Sequence, residues 1–385
     1  MNPEINIKKF YICTTGSIFS TIMIAISNTL ISTFAFYELL TLFTYPLISN
    51  TNTNHEKKEA RFYLYFLIST SSIILFPLIL FLGTHFSTVT FKVGGILNND
   101  YAYITPMVIL VLYGVAKAAI IPVHFWLPRA MVAPIPVSAL LHAVAVVKSG
   151  IFIIIKMYIY IFGIKMLKHL PSWHGVNIIT ILCALSMLLS AIIAIYQVTL
   201  KKLLAYSTIN QLSLCLLAAS LFTVHGIKAS ILHLLSHAVS KITLFFTAGY
   251  IYSNARITKI KDMNGLAKKL PVTSFMFAIG ALSVIGIPPL AGFISKAYIL
   301  YAAIAAQPNY LVMFTITASI ILSTHYFGTI IYKIYFQKMD TKDRAIYSET
   351  SNSSMIVGTI FSIILVFTYI ICYPYIISLL ERINY

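Results

Sequence analysis

"GVAKAAIIPVHFWLPRAMVAPIPVSALLHAVAVVKSGIFIIIKMYIYIFG", residues Gly114–Gly163, decides the fold of this 385-residue chain. It is apolar enough to lie in lipid, yet it places Lys117 and Lys148 inside runs that otherwise read as membrane helix. An ammonium group at bilayer depth costs at least about 2.5 kcal/mol. A lysine there calls for a partner or a task.

The rest of the chain has the same character. It is 59% hydrophobic and 10% charged, with a mean hydropathy of +0.88, whereas a soluble domain is roughly a quarter charged. Continuous apolar runs of about twenty residues or more point to an all-α, polytopic membrane protein. A membrane β-barrel is excluded, because its strands would alternate in polarity. Eleven spans are expected, at about 10–28, 29–49, 61–83, 103–121, 134–162, 175–198, 203–224, 227–252, 271–301, 308–336 and 354–380. The opening "MNPEINIKKF" is basic, but no small-residue cleavage site follows it.

Short loops make residues 1–385 one transmembrane domain. No loop holds a glycine fingerprint for a nucleotide or a cysteine cluster for iron–sulfur ligation, so no cofactor and no catalytic site are expected. Cys13, Cys183, Cys215 and Cys372 lie far apart in apolar segments and read as small buried hydrophobes.

A net charge of +17 raises nucleic acid as a partner, but the basic residues sit between apolar runs and read as loop charge. Alternate loops carry most of them: Lys8 and Lys9; Lys57, Lys58 and Arg61; Arg129; Lys201 and Lys202; Arg256, Lys259, Lys261, Lys268 and Lys269; Lys333, Lys338, Lys342 and Arg344. The intervening ends hold only Lys92, Lys165, Lys168, Lys228 and Arg382. This asymmetry predicts an N-terminus in the cytoplasm (or matrix) and an outer C-terminus; the membrane expected is a bacterial inner membrane rather than a mitochondrial one.

Five lysines remain within spans: Lys117, Lys148, Lys156, Lys241 and Lys296. Lys156 lies near a helix end, from which it is expected to snorkel. Of the acidic residues only Glu38 falls deep in an apolar run. One carboxylate cannot neutralise four amines, so static pairing leaves lysines over. A buried lysine exchanges its proton readily when its neighbours change, which is the property of a relay. "ILHLLSHAVSKITLF" adds His233 and His237, with Lys241 along the same helix face. The two histidines lack a further metal ligand nearby and read as titratable groups. His142, in "ALLHAVAVVK", reads either as a relay or as a packing residue.

Two spans carry helix breakers beside a lysine: Pro122 after Lys117, and Gly286, Pro288, Pro289 and Gly292 before Lys296. Breaks survive in lipid only where protein or water satisfies the freed backbone groups. Each is the fourth member of a five-span set, 10–162 or 175–336, with 354–380 as a final helix. Matched breaks of this kind predict two inverted five-helix repeats.

With these residues in place, "AKAAIIPVHFWLPRAMVAPIPVSALLHAVAVVKSGIF", "KKLLAYSTINQLS", "LHLLSHAVSKITLFFTAG" and "GIPPLAGFISK" resemble the antiporter-like membrane subunits shared by respiratory complex I (NADH:quinone oxidoreductase) and the multisubunit Mrp-type Na+/H+ antiporters. Within that family the stretch around Lys148 is more similar to the Mrp D-type subunit. The resemblance implies a proton relay through Glu38, Lys117, Lys148, His237, Lys241 and Lys296, with His142 and His233 as further stations. Glu38 and Lys117 match the family's gating Glu–Lys pair. The partners implied are other subunits of such an assembly, H+, Na+ and the lipid bilayer, and those partners set the direction of coupling. Against the family's pattern of about fourteen spans the chain starts at the fourth, so the first three are expected to be missing. The expected function is a proton-translocating subunit of an Mrp-type antiporter. The alternatives are a pumping subunit of complex I, which would make the chain part of an oxidoreductase, and a truncated, non-transporting scaffold.

Overall fold

The computed structural model describes residues 7–49, 53–86, 89–97, 103–305, 308–338 and 353–383. The sequence's basic Lys342 and Arg344 lie outside them. The main helices in chain order are α1 Ile7–Ile26, α2 Leu30–Ile48, α3 Asn54–Phe86, α4 Ile104–Gly114, α5 Ile135–Phe162, α6 Ile178–Ile195, α7 Leu200–Ala219, α8 Val224–Ala255, α9 Pro271–Ile285, α10 Ala291–Ile304, α11 Tyr310–Phe336 and α12 Ser353–Glu381. Among the described residues, eight helices are long and apolar enough to cross a membrane by length and composition. The shorter apolar helices α4, α9 and α10 flank the two breaks.

Helix ends in an apolar medium need local partners for their free N–H groups. Short polar side chains supply them: Thr29 accepts from Ser32 N, Thr53 from Glu56 N, Asn177 from Thr180 N, Thr223 from Gly226 N and Asn309 from Val312 N. Many serine and threonine hydroxyls within helices bond back one turn, as Ser17 does to the Cys13 carbonyl at 2.7 Å. Those hydroxyls present no unsatisfied donor to lipid.

Burial separates centre from rim. Buried residues make up 83% of the most apolar stretch of α5, 61% of that of α8, and only 22% and 17% of those of α1 and α12. The two central helices carry Lys148, His233, His237 and Lys241. The rim helices expose isoleucine, phenylalanine and tyrosine, among them Ile12, Phe19, Phe361 and Ile371, as a lipid-facing surface requires. Helix α8 packs against α5, α7, α9, α10 and α12 and so joins the two halves of the bundle. Cys372, on α12, is exposed, unlike the other three cysteines, so its reading as a buried hydrophobe is corrected by its place on the rim.

Candidate functional site: a row of buried amines and imidazoles

Helix α4 stops at Gly114, three residues before Lys117 and well before Pro122. Lys117 therefore sits inside the break, in a single 3₁₀ turn over Ala116–Ala118 that ends with Ala119 in the left-handed region at φ 56°. Side chains from elsewhere take the freed backbone groups. The Lys117 N–H donates to the Tyr37 hydroxyl at 3.2 Å, Trp126 Nε1 donates to the Ala116 carbonyl at 2.9 Å, and the Ile121 N–H donates to Ser186 Oγ at 3.1 Å. Gly150 of α5 lets this turn seat, because a Cβ there would lie 2.5 Å from Ala118 N.

The Lys117 ammonium donates to the Tyr37 carbonyl and stands 3.4 Å from the Tyr37 ring centroid, a cation–π contact. Glu38, the next residue on α2, has both carboxylate oxygens buried, with the Ser71 hydroxyl nearby but no hydrogen bond within 3.5 Å among the described residues. Among the described residues no ion pair within 4.0 Å joins it to Lys117. The structure thus places Glu38 close enough to Lys117 for their charges to interact but seats the amine on Tyr37, a residue the sequence did not single out.

Lys148 and His237 meet directly. Lys148 Nζ lies 2.7 Å from His237 Nδ1 and donates to the Leu234 carbonyl at 2.8 Å. An ammonium has donors only, so Nδ1 accepts and the neutral ring carries its proton on Nε2. That Nε2 is buried with no hydrogen-bond partner. One turn back, His233 stacks with its ring centroid 6.4 Å from that of His237. Its Nε2 faces Gln211 Oε1 at 3.1 Å and its Nδ1 faces Ser295 Oγ at 2.9 Å. An amide oxygen only accepts, so His233 donates from Nε2 and accepts from Ser295 at Nδ1. Gln211 continues to Asn210 at 2.6 Å, and Asn210 to Ser319 on α11 at 2.9 Å.

Lys241 Nζ donates to the Leu204 carbonyl at 3.0 Å and to the Ser207 hydroxyl, both on α7. Lys296 lies on α10, beyond the second break, and reaches back to the Val284 and Ile285 carbonyls at 2.8 Å each, capping the end of α9. That helix stops at Gly286, whose φ of +96° suits only glycine. Pro288 and Pro289 lie in the linker before α10. His142 occupies a π-helical turn, Leu140–Val144, stacked on Phe245 at 5.6 Å with both ring nitrogens buried and unpartnered. Among the described residues, no hydrogen bond connects Lys117 to Lys148, or Lys241 to Lys296. The row is a set of separate stations.

Two lysines differ from their expected places. Lys156 does not snorkel: it is buried and donates to the Ile24, Ala25 and Ser27 carbonyls at 3.3, 3.1 and 2.6 Å, capping the end of α1 from a neighbouring helix. Lys228 is buried in the first turn of α8, 3.9 Å from Glu381, rather than free in a loop. The small polar residues between the stations were also missed. Ser236 meets Ser295 at 2.8 Å, and Ser240 meets Ser283 at 2.7 Å. Their signal was present, since Ser236 and Ser240 share the helical face of His233, His237 and Lys241, and "TINQLS" sets two amides inside an apolar run. Among the described residues no group of three or more His, Cys, Asp or Glu side chains could hold a metal ion.

Residues 27–322, which contain every station, match the model of the family described as "NADH:quinone oxidoreductase/Mrp antiporter, TM". The chain belongs to this family. It is 32% identical over 351 residues to the chloroplastic NAD(P)H-quinone oxidoreductase subunit 5 of Lemna minor, covering 85% of this chain and 44% of that protein. It is 30% identical over 356 residues to the putative antiporter subunit mnhA2 of Staphylococcus haemolyticus (strain JCSC1435), covering 86% of this chain and 43% of that protein. The chain thus spans less than half the length of these curated relatives. The antiporter relative is of the A type, whereas the sequence around Lys148 pointed to the D-type. A chain in the structure of the Mrp complex from Dietzia sp. DQ12-45-1b shares the fold, with a TM-score of 0.80 at 23% identity over 95% of this chain and 75% of that one. This protein is an antiporter-like, multi-pass membrane subunit of the family.

Proposed function

We propose that this chain translocates protons within a multisubunit Mrp-type monovalent cation/H+ antiporter, by way of Glu38, Lys117, Lys148, His237, Lys241 and Lys296. The observation that carries the reading is the 2.7 Å contact between Lys148 on α5 and His237 on α8. A proton leaving the Lys148 ammonium lands on His237 Nδ1, and the imidazolium so formed gives up its Nε2 proton once an acceptor, water or a moved neighbouring side chain, comes within reach of that nitrogen, which has no hydrogen-bond partner among the described residues. His142 and His233 are further stations. Each unit charge crossing the membrane carries about 2.3 kcal/mol per 100 mV, so the transfer must be coupled to a second gradient or to redox work.

Two inverted five-helix repeats, each with a break near Pro122 or Pro288 and Pro289, would place equivalent lysines at equivalent depths. The basic end of the bundle faces the cytoplasm in this reading. Partner subunits, H+ and Na+ complete the proposed assembly. The 32% identity to a quinone oxidoreductase subunit supports a second reading, in which the same row pumps protons within a complex I-type assembly.

Gentle extraction of the tagged protein from its native membrane, followed by identification of what comes with it, separates the two. Antiporter subunits together with Na+-driven pH changes support the first reading. Flavin and iron–sulfur subunits with NADH-driven pumping move the chain to the second. A chain that emerges alone and moves no protons overturns both and leaves a scaffold.

A further inference from the structure

The end of the bundle that holds the ends of α6 and α11 and the start of α7 also carries Lys201, Lys202, Lys259, Lys261 and Lys333. Two backbone bonds fix the segment after α8 across these helix ends: Ile260 N–H to the Val198 carbonyl at 3.0 Å, and Gly265 N–H to the Lys333 carbonyl at 2.9 Å. Beneath this strap lies a cavity of about 240 Å³. Its lining includes the polar Lys261, Lys333, His325 and Tyr326 and the apolar Ile195 and Ile330. Among the described residues no carboxylate lines it; Asp262 adjoins Lys261 in sequence but is not part of the wall. Tyr326 is buried, and its hydroxyl has no hydrogen-bond partner among the described residues.

We infer that this cavity binds the phosphodiester headgroup of an anionic phospholipid. Two lysines, with no carboxylate among the described lining residues, give the cavity a positive charge that suits a phosphate anion. The apolar wall distinguishes a lipid from free phosphate. The same helices expose Tyr196, Tyr332 and Phe336 at this level, as side chains do at the edge of a bilayer, and Ile192 and Ile321 further along, where acyl chains would run. Basic pockets between membrane helices are suited to such headgroups. Neither lysine belongs to the proton row, so the site stands independently of the transport reading.

The test is native mass spectrometry of the full chain released from nanodiscs of phosphatidylcholine containing a minor share of phosphatidylglycerol. The wild type should retain phosphatidylglycerol in preference to phosphatidylcholine. K261Q/K333Q should retain it roughly thirtyfold less, about fivefold per lysine, while K268Q/K269Q at the same end should match the wild type. Equal retention of the two lipids by the wild type would overturn the inference without any variant. So would unchanged retention by K261Q/K333Q, or complete displacement by millimolar inorganic phosphate, which would make the site one for phosphate alone.

Discussion

The two breaks look alike in sequence, each a lysine beside glycine and proline, yet the structure resolves them differently. At the first, Lys117 lies within the break, and another helix holds it through the carbonyl and ring of Tyr37, with the unpartnered carboxylate of Glu38 next along that helix. At the second, Lys296 lies beyond the break and caps its own span's Val284 and Ile285 carbonyls. The first amine has a choice of partners of different charge; the second has only neutral dipoles. A carboxylate favours the charged amine far more than a carbonyl does. In the proposed relay, the first break would change state and the second would hold and pass on what reaches it.

The comparison breaks most severely at the glycines that seat each turn. At Gly292 a Cβ would lie 1.8 Å from the Ser283 carbonyl oxygen, and at Gly150 it would lie 2.5 Å from Ala118 N. Gly292→Val and Gly150→Val should each lower thermal stability by about 3 kcal/mol or more, since backbone cannot yield as a side chain can. Melting of the detergent-solubilised protein, followed by size-exclusion homogeneity, reads this out. A Gly150→Val protein that melts like the wild type would mean that α5 does not press on the Lys117 turn.

Glu38→Gln keeps the shape but removes the charge that sets the first break apart. It should reduce proton flux about tenfold or more, because the amine then has only neutral partners on offer, as at the second break. Flux in inverted vesicles, measured with a pH-sensitive dye, decides it. Wild-type flux in Glu38→Gln would make the two breaks functionally equivalent.

Lys156→Met should cost about 1–3 kcal/mol of stability by leaving α1 carbonyls uncapped, with flux per folded molecule unchanged. Tyr37→Phe should have the smallest effect, about 1 kcal/mol for the lost bond from the Lys117 N–H, because the ring and carbonyl that hold the ammonium remain. Tyr37→Leu removes the ring as well and should shift the pH profile of transport, which Tyr37→Phe should not.

The membrane fold and the burial of Lys117, Lys148, Lys241 and Lys296 were legible because their signals are local. Lysine in an apolar run stands out against its neighbours, and so does Gly286 beside a pair of prolines. The partners were not legible, because they come from distant helices. Nothing in "STFAFYELL" distinguishes Tyr37 from the other aromatics, and its role arises only where α2 meets the turn after α4. Lys156 was misplaced for the same reason. Proximity to its own helix end suggested snorkelling, while the carbonyls it caps belong to α1, more than a hundred residues earlier. Serines escaped notice because in a membrane helix most of them only bond back to their own turn.

The central claim is that buried amines carry the proton, and Lys148 tests it most directly because it touches His237. Proton flux per folded molecule should be compared for wild type, Lys148→Ala and Lys156→Met, each in its native assembly in vesicles. Loss of flux in Lys148→Ala with flux kept in Lys156→Met is the predicted result. Wild-type flux in Lys148→Ala would contradict the account.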